Sequence, residues 1–203
     1  MEKMLNKKSI IIIALVVLIA VAGAVLAAST IVNKKEATTV AATTEQSITG
    51  DELDALLEQQ PMFADGIKYY YASSSEQLSH DAMGASVFNN SDVNIQSFVV
   101  AFCAYDENDN PIKIKQPDDK NDGAYIRTIS YDLSKVGGDK KFIQPQESFD
   151  NVIFYVTNDP QIVTIKACVK SYTSVDNISW ENPFYETFKN VYSGKQLQPT
   201  QIQ

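Results

Sequence analysis

The chain of 203 residues is poor in glycine, proline, cysteine and histidine. Its eight glycines and seven prolines exclude a collagen-like or proline-rich linker protein, and its two cysteines exclude a disulfide-dense mini-scaffold. One histidine and two cysteines are too few for a zinc cluster of His and Cys ligands. The composition therefore predicts neither a metal centre of this kind nor a cofactor.

Positive charge is also scarce, with 17 Lys and Arg against 25 Asp and Glu and a net charge of −8. The first thirty residues carry three lysines and one glutamate, so removing their net +2 leaves −10 on residues 31–203. Nucleic-acid-binding proteins need a basic patch that neutralises phosphates. A nucleic-acid partner is therefore disfavoured.

The one long apolar run lies at the start, where two lysines precede 19 uncharged residues from Ile10 to Ala28. As a helix this run spans ~28 Å, about the thickness of one hydrocarbon core. We predict a transmembrane helix over residues 9–29, within a signal-anchor segment 1–30. A cleaved signal peptide is the alternative, since small residues near the end of the run offer processing sites, and cleavage would make the protein secreted.

Three lysines before the run, against Lys34 and Lys35 after it, favour a cytoplasmic N-terminus and a single pass. Residues 31–46 contain a Thr-rich stretch with no apolar period, so we expect a flexible linker there. Residues 47–203 are then the extracytoplasmic domain of a cell-membrane protein.

Signals for helix ends occur twice in that domain. Thr49 and Glu52 have the spacing of a capping box, and three leucines follow on one face. Asn182 suits an N-cap, Pro183 the first helical position and Gly194 the C-terminal stop. We therefore predict two short flanking helices, near residues 50–59 and 183–192.

Between these helices, short runs of β-branched and aromatic residues alternate with turn clusters rich in Asn, Asp, Gly and Pro. About seven strands without intervening helices favour two antiparallel layers over a parallel sheet. The sequence thus predicts an all-β-dominated antiparallel β-sandwich with short flanking helices. The predicted strands are Ile67–Ala72, Ala85–Asn89, Ile95–Tyr105, Ile112–Lys115, Tyr125–Tyr131, Ser148–Val156 and Ile162–Tyr172.

The two longest strands differ in pattern. The stretch from Phe98 to Tyr105 is apolar on both parities, which is typical of a central strand covered on both faces. In the last strand, apolar residues such as Ile165 alternate with Lys166 and Cys168, which predicts one face in the core and one toward water.

The two cysteines, Cys103 and Cys168, both lie in predicted strands, and an extracytoplasmic location permits their oxidation. Their parities argue against a bridge through the core, because Cys168 shares its parity with lysines. Two adjacent strands of one sheet could still bring them together. We expect two free thiols, with a disulfide as the alternative.

Several short motifs between residues 85 and 192 combine into a signature of a strand, a hairpin and a further strand. They are Asn89–Asp92, Ser97–Phe102, Ala104–Asp106, Asn110–Lys115, Ala167–Val169 and Trp180–Tyr185. The combination resembles an uncharacterised family of extracytoplasmic immunoglobulin-like β-sandwich domains from Gram-positive bacteria, a domain of unknown function behind a single transmembrane helix. The resemblance implies an immunoglobulin-like fold in the cell envelope and no functional residue.

Candidate sites for chemistry are few. Asp106, Asn108 and Asn110 have the oxygen spacing of a calcium loop, but Pro111 and Pro117 stand where the turn glycine and the bidentate Glu belong. A hairpin turn is favoured, and we predict no metal site. Other carboxylates, which we expect in a solvated loop, are Asp118, Asp119 and Asp122.

A base–thiol pair of His80 with Cys103 or Cys168 is conceivable, since a thiolate needs a neighbouring base or positive charge. However, His80 lies in a polar segment and neither cysteine has a recognisable catalytic flank. No nucleophile elbow, phosphate-binding glycine loop or metal-binding helix motif occurs in the sequence. We predict no catalytic residue and no enzyme; the alternative is an envelope hydrolase or thiol-dependent transferase with a site built from loops.

Three consecutive tyrosines, Tyr69, Tyr70 and Tyr71, could form an aromatic platform for a peptide or a sugar. The favoured alternative is an ordinary strand, with Tyr69 and Tyr71 on one face and Tyr70 on the other.

The order of anchor, linker and sandwich predicts a membrane-anchored, non-catalytic interaction domain. Its partner would be another envelope protein, because the acidic domain repels a polyanionic wall polymer. The sequence alone assigns no binding residue, ligand or oligomeric state.

Overall fold

The computed structural model describes residues 48–74, 78–136, 138–157 and 161–198. The predicted membrane-spanning segment 9–29 and the predicted linker 31–46 lie outside these residues. Within the part of the chain that is described, no helix is long and apolar enough to cross a bilayer.

The described residues form a sheet-rich, antiparallel fold with a few short helices, as the sequence predicts. A single turn of 3-10 helix, Ala72–Ser74, follows the first strand. The strands are β1 (Met62–Tyr70), β2 (Ala82–Asn89), β3 (Ile95–Tyr105), β4 (Pro111–Ile112), β5 (Arg127–Asp132), β6 (Ser148–Tyr155), β7 (Thr164–Ser174) and β8 (Ser179–Glu181), and the helices are α1 (Gly50–Leu57), α2 (Leu133–Val136) and α3 (Tyr185–Tyr192).

The strands make two antiparallel sheets. One has three strands in the order β1-β2-β6. The other has five strands with β3 at its centre, flanked by β7 and then β8 on one side and by β4 and β5 on the other. The long strand β3 therefore carries most of the pairing in the second sheet.

A shared core holds the two sheets against each other. Met83 and Val87 of β2 belong to it together with Phe102 of β3, Phe154 of β6 and Val169 of β7, and all five are buried. Phe102 and Phe154 meet across the two sheets with ring centroids 6.0 Å apart. Burial of such side chains stabilises the fold by about 1.5–3 kcal/mol each.

A second core lies on the opposite face of the five-stranded sheet, beneath α1 and α3. It contains Leu53 and Leu57 of α1, Phe188 and Tyr192 of α3, and the sheet residues Ala101, Cys103, Tyr105 and Cys168. Strand β3 is therefore buried on both faces, and its predicted double-sided pattern is confirmed. Its bounds, Ile95–Tyr105, also agree with the prediction.

The prediction that β7 turns one face toward water is wrong. Cys168 on that face is buried in the second core. Lysines fit beside it because their long stems run along apolar surface while the ammonium groups reach the edge. The Nζ atom of Lys166 bonds Asp54 of α1 at 2.6 Å and lies 5.4 Å from the ring centroid of Tyr192.

A bulge further breaks the alternation of β7. Val169 pairs with Val100 and Ser171 pairs with Val99, so Lys170 is an extra residue in the strand. A bulge adds one residue to the strand, so residues that face the same side are three positions apart across the bulge instead of two. This explains why a strict period of two fails beyond Val169.

Several predicted strand bounds differ from those observed. Strand β1 begins at Met62, five residues before the predicted start, because Gly66 with φ +56° interrupts the pattern at a bulge. Strand β2 begins at Ala82, three residues before the predicted start, because residue types such as those of Ala82 and Gly84 are depleted in strands and carry no strand signal. The short edge strand β8 was not predicted.

The helix near residues 50–59 is confirmed as α1. Its capping box is complete, since the Thr49 hydroxyl accepts the Glu52 N–H and the Glu52 carboxylate accepts the Thr49 N–H. Helix α3 begins at Tyr185, two residues later than predicted. Asn182 instead supports the preceding turn, where its Oδ1 accepts the Phe184 N–H and its Nδ2 donates to the Val169 carbonyl.

Candidate functional site

The three consecutive tyrosines do not form one platform. Tyr69 and Tyr71 meet edge to face with centroids 4.9 Å apart, and the Tyr69 hydroxyl donates to Oδ2 of the buried Asp81 at 2.8 Å. Tyr70 points to the other side of β1, where its ring lies over Gly84 of β2. The predicted split of the three side chains between two faces is therefore confirmed.

Tyr70 belongs to a larger aromatic surface. Because Met83 and Val87 face the shared core, the alternate residues of β2 point away from it. Those residues are mostly small, and a Cβ atom on Gly84 would lie 2.4 Å from Tyr70 Cε2. Small residues on the central strand thus let rings from the neighbouring strands lie flat on the sheet.

Five apolar side chains make up this surface. Tyr70 and Tyr155 both pair with Ala82, one from each side, and Ile153 pairs with Gly84. At the other end of the sheet, Phe63 and Phe88 pack with centroids 5.3 Å apart. We call the outer face formed by Phe63, Tyr70, Phe88, Ile153 and Tyr155 the aromatic face.

The aromatic face is open to solvent. Tyr155 is 43% exposed, and Phe63, Tyr70, Phe88 and Ile153 are each partly exposed. The corresponding outer face of the other sheet carries α1 and α3 over much of its length. Partly exposed aromatic residues grouped on one sheet are a feature of protein-binding surfaces.

Only Tyr70 of this surface was singled out in the sequence. Tyr155 is 85 positions away along the chain, and the register of β2 with both neighbours is what places the two rings beside Ala82. The sequence signal was the run of small residues Ala82, Gly84 and Ser86 at every second position. Such a run on a central strand leaves room for large side chains from both sides.

The structure separates His80 from both cysteines. His80 is exposed in the loop before β2, in the three-stranded sheet. Cys103 and Cys168 are each 1% exposed and face the helices on the far side of the other sheet. The conceivable base–thiol pair is therefore not assembled.

Burial also keeps the thiols protonated. It raises the pKa of Cys103 to about 12, and it raises the pKa of Cys168, with the nearby Cys103 adding to the effect. A thiol attacks only as the thiolate, so neither group is an active nucleophile at neutral pH.

Both cysteines are free thiols, as expected. They lie on adjacent strands, but Cys103 pairs with Lys166 and Cys168 pairs with Ala101, so the two are diagonal neighbours. The Cα atoms of diagonal neighbours are ~7–8 Å apart, whereas the Cα atoms of a disulfide are usually ~4.4–6.8 Å apart. The register therefore opposes a bridge.

The acidic loop after β3 is a hairpin turn, as favoured from the sequence. Oδ1 of Asp106 accepts the N–H groups of Asn108 and Asn110 at 2.8 and 2.9 Å. These bonds, first of all those from Asn110, lower the pKa of Asp106. Asp109 takes the left-handed conformation with φ +62°, which a turn of this kind requires. Across the described residues, no group of three or more His, Cys, Asp or Glu side chains could hold a metal.

The prediction of a fully solvated acidic loop is wrong for Asp119. Its carboxylate pairs with Arg127, the one arginine of the chain, and accepts the Gln116 N–H at 3.0 Å. Arg127 also donates from Nε to the Ile114 carbonyl at 3.2 Å. The pair ties the long connection between β4 and β5 to the sheet, while Asp118 and Asp122 are exposed.

The five-stranded sheet has a shallow depression of about 340 Å³ where the helices do not cover it. Its lining includes the hydroxyl groups of Ser97, Ser130 and Ser171. The carboxylate of Asp132 lies at one end, and hydrogen bonds from Lys135 and Ser134 lower its pKa. An acid held ionised in this way is a poor proton donor, and the depression offers no acid–base pair.

The fold has a relative among solved structures. The chain is similar to a hypothetical protein from Peptoclostridium difficile 630, with a TM-score of 0.55 and 16% identity over 70% of this chain and 95% of that one. At this identity the likeness shows the fold alone. The comparison with curated proteins finds no match.

A family model covers most of the sheet region described above. It matches residues 82–195, from the first residue of β2 to just beyond α3. The match extends over more than half of the chain, which therefore belongs to the family of unknown function DUF5780.

Proposed function

We propose that this chain is a membrane-anchored interaction domain that binds another envelope protein through its aromatic face. In this proposal residues 9–29 span the membrane, residues 31–46 form the linker, and the domain lies outside the cell with an immunoglobulin-like sandwich fold. The two antiparallel sheets around a shared core support that fold. No catalytic group is required.

One observation carries the proposal: the outer face of the three-stranded sheet presents five clustered apolar side chains, and no helix or strand among the described residues covers them. Aromatic residues are enriched at the centres of protein interfaces because they combine large apolar area with few rotatable bonds. The second sheet also has apolar residues on its outer face, and there the side chains of α1 and α3 bury them.

The dimensions of the aromatic face favour a protein as the partner. From the row at Ala82 to the row at Phe88 the sheet extends ~20 Å, and three strands are ~10 Å wide. This area of ~200 Å² is larger than one sugar ring and would form the apolar centre of a protein interface, which buries ~800 Å² per partner when its polar rim is included. Lys68 and Asp65 lie among the aromatic rows, so the patch itself carries both signs of charge.

Site-specific photo-crosslinking of the full chain in its own membrane tests the proposal. A photoreactive residue at Tyr155 should capture a defined envelope protein. The matched control is Tyr71, which is 44% exposed against 43% for Tyr155 but points away from the aromatic face. The same probe at Tyr71 should capture little.

The paired serine variants give the second test. Tyr155→Ser should weaken capture by a probe at Ile153 at least about tenfold, as expected for an interface anchor, whereas Tyr71→Ser should leave it unchanged. Equal losses in both variants, or no captured protein at either position, would contradict binding through this face.

A further inference from the structure

Among the described residues, every contact that holds helix α1 on the sheets involves a side chain, and none is a backbone–backbone bond to a strand. Within the described residues, its backbone–backbone hydrogen bonds stay between Thr49 and Gln60, and the Gly50 carbonyl accepts the Tyr192 hydroxyl at 2.9 Å. Leu53 and Leu57 fill the second core, and the Asp54 carboxylate binds Lys166 Nζ and the Tyr192 hydroxyl, each at 2.6 Å. No sheet ladder has to break for α1 to leave this position.

The next element along the chain is held differently. Strand β1 pairs with β2 over seven residue pairs from Met62 to Tyr70. Residues 1–47 precede α1, so a pull or a partner acting on that segment reaches α1 first and β1 second. Separation of α1 would therefore stop at Met62, where the ladder begins.

Both cysteines of the chain lie in the second core, which residues of α1 and α3 form together with the sheet. Cys103 and Cys168 share the second core with Leu53 and Leu57 and are each 1% exposed. Further cover comes from Phe188 and Tyr192 of α3 and from the partly buried Ile126 and Leu197. The family match includes α3 and both cysteines but begins at residue 82, after α1.

We propose that α1 is a releasable latch between the N-terminal segment and the sheets, and that its release uncovers Cys103 and Cys168. An eight-residue helix is not stable alone in water, so α1 keeps its form only while its leucines are docked. Its loss exposes an apolar strip of β3 and β7 together with the two thiols, while the shared core between the sheets stays intact. The molecule thus has a second state with a new reactive surface.

Thiol labelling of the full chain in lipid vesicles tests the latch. The chain has only two cysteines, so N-ethylmaleimide followed by mass spectrometry reports on this site alone. We expect labelling in the absence of denaturant, with a rate that depends only weakly on low urea concentrations, because a local opening exposes little surface. A rate that rises with the full urea dependence of unfolding would overturn the proposal.

Two core variants separate release of α1 from unfolding of the whole domain. Leu57→Ala removes a contact of α1 and should speed labelling at least about tenfold. Val152→Ala weakens the shared core, where Val152 is fully buried, and should leave native labelling unchanged although it lowers overall stability. Equal acceleration in both variants would show that the thiols are reached only by global unfolding.

Asp54→Asn gives a milder test that leaves both cores intact. It weakens the bond to Lys166 and should speed labelling by about two- to fivefold, as expected for a partly exposed ion pair. Asp132→Asn removes an ion pair with Lys135 on α2 and should have no effect. The latch is independent of the aromatic face, so its failure would leave the crosslinking result at Tyr155 untouched.

Discussion

Tyr131 joins the two sheets through a single side chain. It lies on β5, and its hydroxyl accepts the N–H of Ile153 on β6 at 2.6 Å and donates to the Ile153 carbonyl at 3.0 Å. Its ring stacks on Phe98 with centroids 5.4 Å apart. Both free backbone groups of one edge residue are thereby satisfied, which protects the edge of the three-stranded sheet from pairing with another strand.

Tyr131→Phe should therefore destabilise the domain by about 1 kcal/mol, because it leaves the Ile153 N–H and carbonyl without their partner. Urea denaturation followed by tryptophan fluorescence measures the change. Tyr155→Phe is the matched control, since that hydroxyl is on an exposed residue of the same strand as Ile153, and it should lie within ±0.5 kcal/mol of the wild type. Similar losses in both variants would contradict an edge-sealing role for Tyr131.

The sequence correctly predicted the elements whose structure depends mainly on their own residues. The Thr49–Glu52 capping box and the double-sided apolar pattern of β3 both predicted what forms. The face of β7 was misjudged because Lys166 beside Cys168 suggests solvent, whereas the covering side chains come from α1 and α3, far away in sequence. A lysine near an element's edge is compatible with a buried neighbour, and only tertiary packing distinguishes the two cases.

The capping box gives a prediction for α1 as an element. Thr49→Ala removes the acceptor of the Glu52 N–H and should destabilise the helix by about 1 kcal/mol. Amide hydrogen exchange should speed up in α1 by about fivefold, while amides of β3 keep their protection. Thr128→Ala, on the exposed part of β5, is the control and should change neither. Faster exchange throughout β3 would show instead that α1 and the sheets open together.

At the scale of the whole molecule, the sequence predicted two antiparallel layers with flanking helices but not the surface they create. Most strands and the turns between them are marked by local patterns and were predicted, whereas the three-residue strand β8 was not. The aromatic face depends on pairing between Tyr70, Ala82 and Tyr155, and register over such distances is set by cooperative packing. The same holds for the second core, whose members come from four separate elements.

The second core contains two thiols and two tyrosine hydroxyl groups whose ionisation is disfavoured by burial. Burial raises the pKa values of Cys103 and Cys168, and also those of Tyr105 and Tyr192, whose hydroxyl groups hydrogen-bond near α1 and α3. In the unfolded chain the thiols ionise near their ordinary pKa of 9.0. A group whose pKa is raised by folding contributes its full stability below the unfolded pKa, and that contribution is lost as the pH rises toward the folded value.

The folded domain should therefore lose stability between pH 9 and about 12, the pKa of Cys103. At pH 10, each thiol accounts for about 1.4 kcal/mol of the loss relative to pH 8, since one pH unit beyond the unfolded pKa corresponds to that energy. Urea denaturation of the wild type and of a Cys103→Ala/Cys168→Ala variant at both pH values measures this contribution. The cavities left by the two substitutions lower the free energy of unfolding equally at either pH, and both tyrosines remain. Any change in the difference between the free energies of unfolding at pH 8 and pH 10 therefore comes from the thiols. A variant as sensitive to alkali as the wild type would mean that the thiols reach water in the folded state.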